Sequence, residues 1–181
     1  MSAINRSRLP LMSASLLVGL KIQTFRTALV LVLLPAPVVA QELMFDITPT
    51  AACIRAGGGE SCAGKAAEQC MQATPGGNTT VAMSGCSHRE TTYWDGWLNT
   101  VYQQRHATLA AQDRRAPSYA PRQAEALRDM QRAWIGFRDA KCAYEASQWG
   151  GGTGTGPASA SCHLHETARQ MLYLQSMQMG N

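Results

Sequence analysis

The stretch "RAWIGFRDAKC", residues 132–142, gathers groups that could do chemistry: guanidinium, carboxylate, two large aromatic rings and a thiol. At helical spacing Trp134, Arg138 and Cys142 stand four residues apart on one face, with Phe137 beside them. As a recognition element, Arg138 and Asp139 would present a charged pair to a partner, since Trp and Arg dominate interface hot spots. As a structural element, Trp134 and Phe137 would fill a helical core while Arg138 bonds a nearby carboxylate such as Asp95 or Glu166. The expectation is core and orientation first, recognition second.

Other residues invite catalytic or metal readings, and their spacing argues against most of them. His163 and His165 flank Leu164, but on a helix positions two apart point about 200° from each other, so both cannot easily hold one ion. His88 and His106 have no partner at ligand spacing. Glu90, Asp95, Asp139, Glu145 and Glu166 could supply a carboxylate pair, yet most fall where helices carry solvated charge. The run "GGGTGTGP", residues 150–157, lacks the Lys-Ser/Thr of a phosphate-binding loop and follows no strand. It reads either as a connection between two crossing helices or as a pre-organised probe, Gly150, Gly151, Gly152, Thr153 and Gly154, that enters a partner's cleft. No serine nucleophile elbow and no His-Glu-x-x-His motif occurs. No catalytic residue, metal ligand or cofactor is therefore expected.

The compartment decides what the thiols do. Lys21 and Arg26 precede the apolar run "TALVLVLLPAPVVA", which ends with Val38 and Ala40 at the −3 and −1 positions of a cleavage site. Residues 1–40 read as a secretory signal peptide; Pro35 and Pro37 make the run a poor membrane span. A second apolar patch, "LPLMSASLLVGL", lies upstream, and Met12 is an alternative start. Gln41, not cysteine, follows the cleavage point, so no lipid attachment is indicated. Arg6, Arg8, Lys21 and Arg26 are four of the sixteen basic residues, and none of the twelve acidic residues lies in this segment, so the mature chain carries twelve of each sign. The basic balance belongs to the leader and is no nucleic-acid footprint.

Six cysteines follow the leader: Cys53, Cys62, Cys70, Cys86, Cys142 and Cys162. An even number in an oxidising compartment, with no Cys-x-x-Cys pair, predicts three disulfides rather than zinc or catalytic thiols. Committed to bridges, they cannot serve as thiolates.

The punctuation predicts helices nearly throughout. A short one covers residues 49–56; after Gly57 to Gly59, a second opens at Glu60 or Ser61 and runs through "CAGKAAEQCMQA" to the stop "TPGG". Asn78 or Thr79 caps a long helix whose apolar positions Met83, Trp94, Trp97, Leu98, Val101, Tyr102 and Leu109 recur mostly at three and four. Pro121 suits the first turn of the next, with Leu127, Met130, Trp134, Phe137 and Tyr144 on one stripe and Lys141 snorkelling at its edge. After the glycine run, Ser159 or Ser161 starts a last helix that reaches about Met177. No stretch alternates like a strand. The expected fold is all-α, a small disulfide-stabilised antiparallel helical bundle. That plan brings Cys142 to Cys162 across the glycine loop, and favours Cys53 with Cys62 and Cys70 with Cys86 among three possible connectivities of the other four.

The pattern "LRDMQRAWIGFRDAKC", then a glycine-rich loop, then "SCHLHETARQMLYL", preceded by "YWDGWLNTVYQQ", resembles the LprI-like domain family. The carrying residues are Trp94, Asp95, Leu98, Asn99, Tyr102, Trp134, Arg138, Asp139, Cys142, Cys162, Thr167 and Arg169. The resemblance spans about residues 86–175. It divides the chain into a leader, 1–40, a cysteine-containing helical extension, 41–85, and a family domain, 86–181, packed with the extension as one globular unit. It implies an extracytoplasmic helical domain, and lysozyme inhibition by analogy with the family's founding member; the absence of catalytic motifs separately predicts that the protein is not an enzyme. Two expectations stand: a secreted or periplasmic protein that blocks lysozyme or a related envelope hydrolase, or a structural or ligand-binding envelope domain without inhibitory activity. Neither involves nucleic acid, a cofactor or a membrane span after cleavage.

Overall fold

The computed structural model describes residues 42–179, and the expected leader and its cleavage point lie outside them. Five α-helices follow in order: α1 Thr48–Arg55, α2 Lys65–Ala73, α3 Thr80–Asp113, α4 Gln123–Ser147 and α5 Thr155–Met179, with a 3-10 turn Gly59–Cys62 between the first two. No strand occurs among the described residues, so the all-α expectation holds.

Helix α3 is the axis of the molecule. Its 34 residues span about 51 Å at 1.5 Å each. Thr79, in extended backbone, caps it by accepting from the Ala82 N–H at 3.3 Å. Cys86, Glu90, Trp94, Leu98, Val101 and Leu109 form its buried line, and that line packs along α5 through Leu164, Ala168, Met171 and Leu174. Short connections make α4 antiparallel to both neighbours, so α3 and α5 run parallel. Trp94 is completely buried and stacks on Trp97 at 5.7 Å between ring centres.

Three disulfides cross-link consecutive elements: Cys53–Cys62 joins α1 to the 3-10 turn, Cys70–Cys86 joins α2 to α3, and Cys142–Cys162 joins α4 to α5. Their Cα separations are 5.4, 5.7 and 5.4 Å. These are the pairs that the helical plan favours.

Several element boundaries differ from expectation, each for a local reason. The second helix is broken at Ala63–Gly64, because Gly64 adopts φ +93° and its N–H turns to donate to Glu90 at 2.9 Å. Pro121 lies just outside α4 rather than in its first turn. The cap there comes from another helix: the carboxylate of Asp113, the last residue of α3, accepts from the N–H groups of Gln123 at 3.0 Å and Ala124 at 2.9 Å. Those two bonds, from Ala124 and then Gln123, hold the Asp113 carboxyl below the ordinary carboxylate range. Helix α5 starts at Thr155, not at Ser159 or Ser161, so Gly156 and Pro157 belong to its first turn, where a proline needs no N–H partner. The connecting loop is correspondingly shorter and internally bonded, with Gly152 N donating to the Trp149 carbonyl at 2.9 Å and Thr155 N to the Gly152 carbonyl at 3.2 Å.

Candidate functional site

The residues of the family pattern separate into three places. Trp94, Leu98 and Thr167 are buried, and Leu98 also reaches the floor of a surface groove. Asp95, Asn99, Tyr102, Trp134 and Arg138 line that groove, which has a volume of 640 Å³ and lies between α3 and α4. Asp139 and Arg169 are on the exterior. The helical phase explains the groove: residues 95, 99, 102 and 106 make one stripe on α3, and residues 128, 131, 135 and 138 face them from α4 running the other way.

Two expectations about the opening stretch are corrected here. Phe137 does not fill the bundle; it is 60% exposed, because α4 is covered by its neighbours along the line through Ala124, Leu127, Met130, Trp134, Cys142 and Ala146 and not on its outer face. Tyr144, placed on the same apolar stripe, is exposed as well. Arg138 pairs neither with Asp95 nor with Glu166. Its guanidinium bonds to Asp139 at 2.8 Å and lies over the Trp134 ring, 5.0 Å from the ring centre. Trp134 is half-buried, packed on the core by one side and open to the groove on the other. Trp134→Ala is therefore expected to cost about 2 kcal/mol in chemical denaturation, less than a fully enclosed tryptophan. A loss above about 4 kcal/mol would mean that the ring is core after all.

Polar contacts inside the groove are partial, so its rim keeps hydrogen-bonding capacity. Asn99 donates to Asp95 at 3.0 Å, and Gln131 accepts from Gln170 at 2.9 Å. Arg128 pairs with its neighbour Asp129 at 2.9 Å, whereas Arg132 has no ionic partner among the described residues. Tyr102 tilts against His106, 5.8 Å between ring centres. At its Asp95 and Arg138 end the groove continues into a second hollow of 470 Å³, lined by His88, Thr91, Thr92, Ser159 and His163.

The carboxylates expected to be solvated divide unevenly. Asp139 is exposed, and Asp95 and Glu145 are half-buried; Glu90 is fully enclosed and Glu166 is 5% exposed. Burial reflects partners. Glu90 accepts from Thr50 Oγ1 at 2.8 Å, Gly64 N at 2.9 Å and Trp94 Nε1 at 3.0 Å with one oxygen, and from Ala67 N at 2.7 Å with the other. It is a structural knot joining α1, α2 and α3. Glu166 bonds to Lys141 and Arg169, and Lys141 also meets Glu145 at 3.4 Å, so Lys141 is an ion-pair partner rather than a snorkelling edge. Burial pushes the Glu166 carboxyl up, but the Lys141 and Arg169 cations outweigh it and hold it below its usual range.

His88 and His163 line the second hollow, His106 lies in the groove, and His165 stands apart from both. His163 Nδ1 meets the Ser159 carbonyl and His165 Nδ1 the Ser161 carbonyl, both at 2.8 Å, each a local helix contact. No group of three metal-ligating side chains exists among the described residues, and none of their helices is long and apolar enough to cross a membrane. At the glycine loop the Trp149 ring folds onto Gly154, where any Cβ would collide with it, and Trp149 stays 59% exposed.

Comparison with known proteins follows the same segments. The sequence model of the lysozyme inhibitor LprI family matches residues 70–174, more than half of the chain. The match begins at Cys70, inside the amino-terminal segment 41–85, and takes in both walls of the groove. An uncharacterized 17.7 kDa protein in the puhA 5′ region of Rhodobacter capsulatus is 26% identical over 124 residues, covering 66% of this chain and 76% of that protein. No solved structure matches.

Proposed function

The chain belongs to the lysozyme inhibitor LprI family, and from that premise we propose that it is an exported binding protein that blocks a muramidase or a related envelope hydrolase. Family membership across both walls of the groove and the α4–α5 bridge is the observation that carries this reading. Three disulfides with no free cysteine among the described residues support an oxidising compartment. The work it does is occlusion rather than turnover.

The surface best suited to occlusion is the outer face of α4 and the loop after it. Phe137 and Tyr144 are seven residues apart, so they point the same way, and Trp149 follows at the helix end; they are 60%, 66% and 59% exposed. Aromatic side chains of this kind supply rigid anchors in protein interfaces. The Cys142–Cys162 bridge and the internally bonded glycine loop hold Trp149 in place before contact, which lowers the ordering cost of binding.

The test is a clearance assay in which oxidised protein is added to lysozyme and cell-wall substrate. Parent protein is expected to inhibit, and Phe137→Ser with Tyr144→Ser to lose about tenfold or more in potency with an unchanged melting temperature. Full potency in the double variant would displace the contact from this face. Absence of inhibition by the parent in large excess would end the inhibitor reading.

A further inference from the structure

The groove between α3 and α4 has a chemistry that inhibition by the outer face of α4 does not use. We propose that it binds a linear, carboxylate-bearing glycan, independently of any hydrolase partner.

Its floor and rim are the argument. Tyr102, Trp134 and Leu98 give an apolar floor, while side-chain amides and guanidinia stand along both walls. A sugar ring has the complementary form: an apolar C–H face that rests on aromatic side chains, and hydroxyls around the edge that need donors and acceptors. Gln131, in the lining, uses its oxygen for Gln170 and keeps its N–H groups for donation, and Asn99 donates to Asp95 and keeps its oxygen.

Length and charge narrow the ligand. From His88 to His106 the groove and its continuation follow 18 residues of α3, about 27 Å, which suits an extended oligomer rather than a single small molecule. Arg128, Arg132 and Arg138 stand along about 15 Å of α4 on the same wall. Guanidinium forks match carboxylates; Arg128 and Arg138 are paired with Asp129 and Asp139 outside the lining, Arg132 has no ion-pair partner among the described residues, and these three guanidinia outnumber the one lining carboxylate, Asp95.

An extended peptide is the competing occupant, and the walls disfavour it. Peptides of that form bind through main-chain hydrogen bonds to an open sheet edge. Both walls here are α-helices whose backbone groups are already bonded within the helix, and no strand exists among the described residues. A helical peptide would need an apolar trough, whereas this rim is mostly polar and charged.

Titration calorimetry of the full oxidised chain separates the possibilities. Four probes are used: peptide-free peptidoglycan glycan strands, whose carboxylates are lactyl ethers; an oligo-uronate; a neutral oligohexosamine of equal length; and a glutamate-rich peptide. At least one carboxylated glycan is expected to bind tenfold or more tighter than the neutral one, and which of the two does so identifies the source. Arg132→Gln should remove most of that preference while leaving neutral-glycan binding and the melting temperature unchanged; Tyr102→Ala should weaken every glycan. No binding by either carboxylated glycan, equal binding of charged and neutral glycans, or tighter binding of the peptide would overturn the proposal. Should a variant fail to fold, the four probes on the parent decide alone. Glycan binding without hydrolase inhibition would sink the inhibitor reading only, and inhibition without glycan binding would sink this one only.

Discussion

Glu90→Ala is expected to lower unfolding free energy by about 3 to 5 kcal/mol, the range for breaking a buried charged or strongly hydrogen-bonded partnership. Removing the carboxyl strands four donors at once: the Thr50 hydroxyl, the Trp94 indole N–H and the backbone N–H groups of Gly64 and Ala67. Three of them come from the segments before α3, and the Thr50 oxygen must still accept from Ala66 N at 3.0 Å. Water entering the cavity would restore part of the loss, which keeps the figure below the sum of four separate penalties. Glu90→Gln keeps the shape and one acceptor oxygen, so its cost should fall between parent and alanine. Chemical denaturation of the oxidised proteins checks both. An alanine variant within about 1 kcal/mol of the parent would show that the knot is not what holds the amino-terminal helices to α3.

The second large effect concerns the bridge at the base of the glycine loop. Cys142→Ser with Cys162→Ser opens a loop of 20 residues and is expected to cost about 3 kcal/mol through the entropy restored to the unfolded chain. Opening Cys53–Cys62, separated by 9 residues, should cost about 0.7 kcal/mol less on the same reasoning. The double variant should also inhibit less well at temperatures where it remains folded, because Trp149 then loses its fixed anchor. Denaturation curves of the two double variants, run side by side, test the order. Equal stability of the Cys142/Cys162 variant and the parent would mean that the α4–α5 packing fixes that end by itself.

Much of the fold was legible because it rests on local rules. A cap at Thr79, glycine stops after α1 and α4, and apolar spacing of three and four along α3 are properties of short windows, and chain direction alone makes sequential helices antiparallel across short loops. The Cys142–Cys162 bridge followed, since an antiparallel turn brings the end of one helix to the start of the next, while the other two pairs were the favoured choice among three. The groove was only half legible. The pattern residues Asp95, Asn99, Tyr102, Trp134 and Arg138 stood out by type, but nothing in one dimension says that these two stripes, on separate helices, face each other.

Where the reading failed, the missing information was always the neighbour. Periodicity marked Phe137 and Tyr144 as an apolar face of α4, but whether such a face is covered depends on where the other helices pack, and none among the described residues covers it. Glu90 resembled any solvated glutamate, because its four donors come from segments up to 40 residues away and include backbone N–H groups that carry no residue type. Asp113 likewise caps α4 across a loop, which moved the start that Pro121 had marked. The sequence by itself determined the helices, their order and the number of cross-links, set by spacing, caps and cysteine count, and left the pairing of four cysteines as a preference that the structure settled. Only the tertiary structure decided which apolar faces stay in water and which carboxylates leave it, because desolvation is a property of the surroundings and not of the side chain.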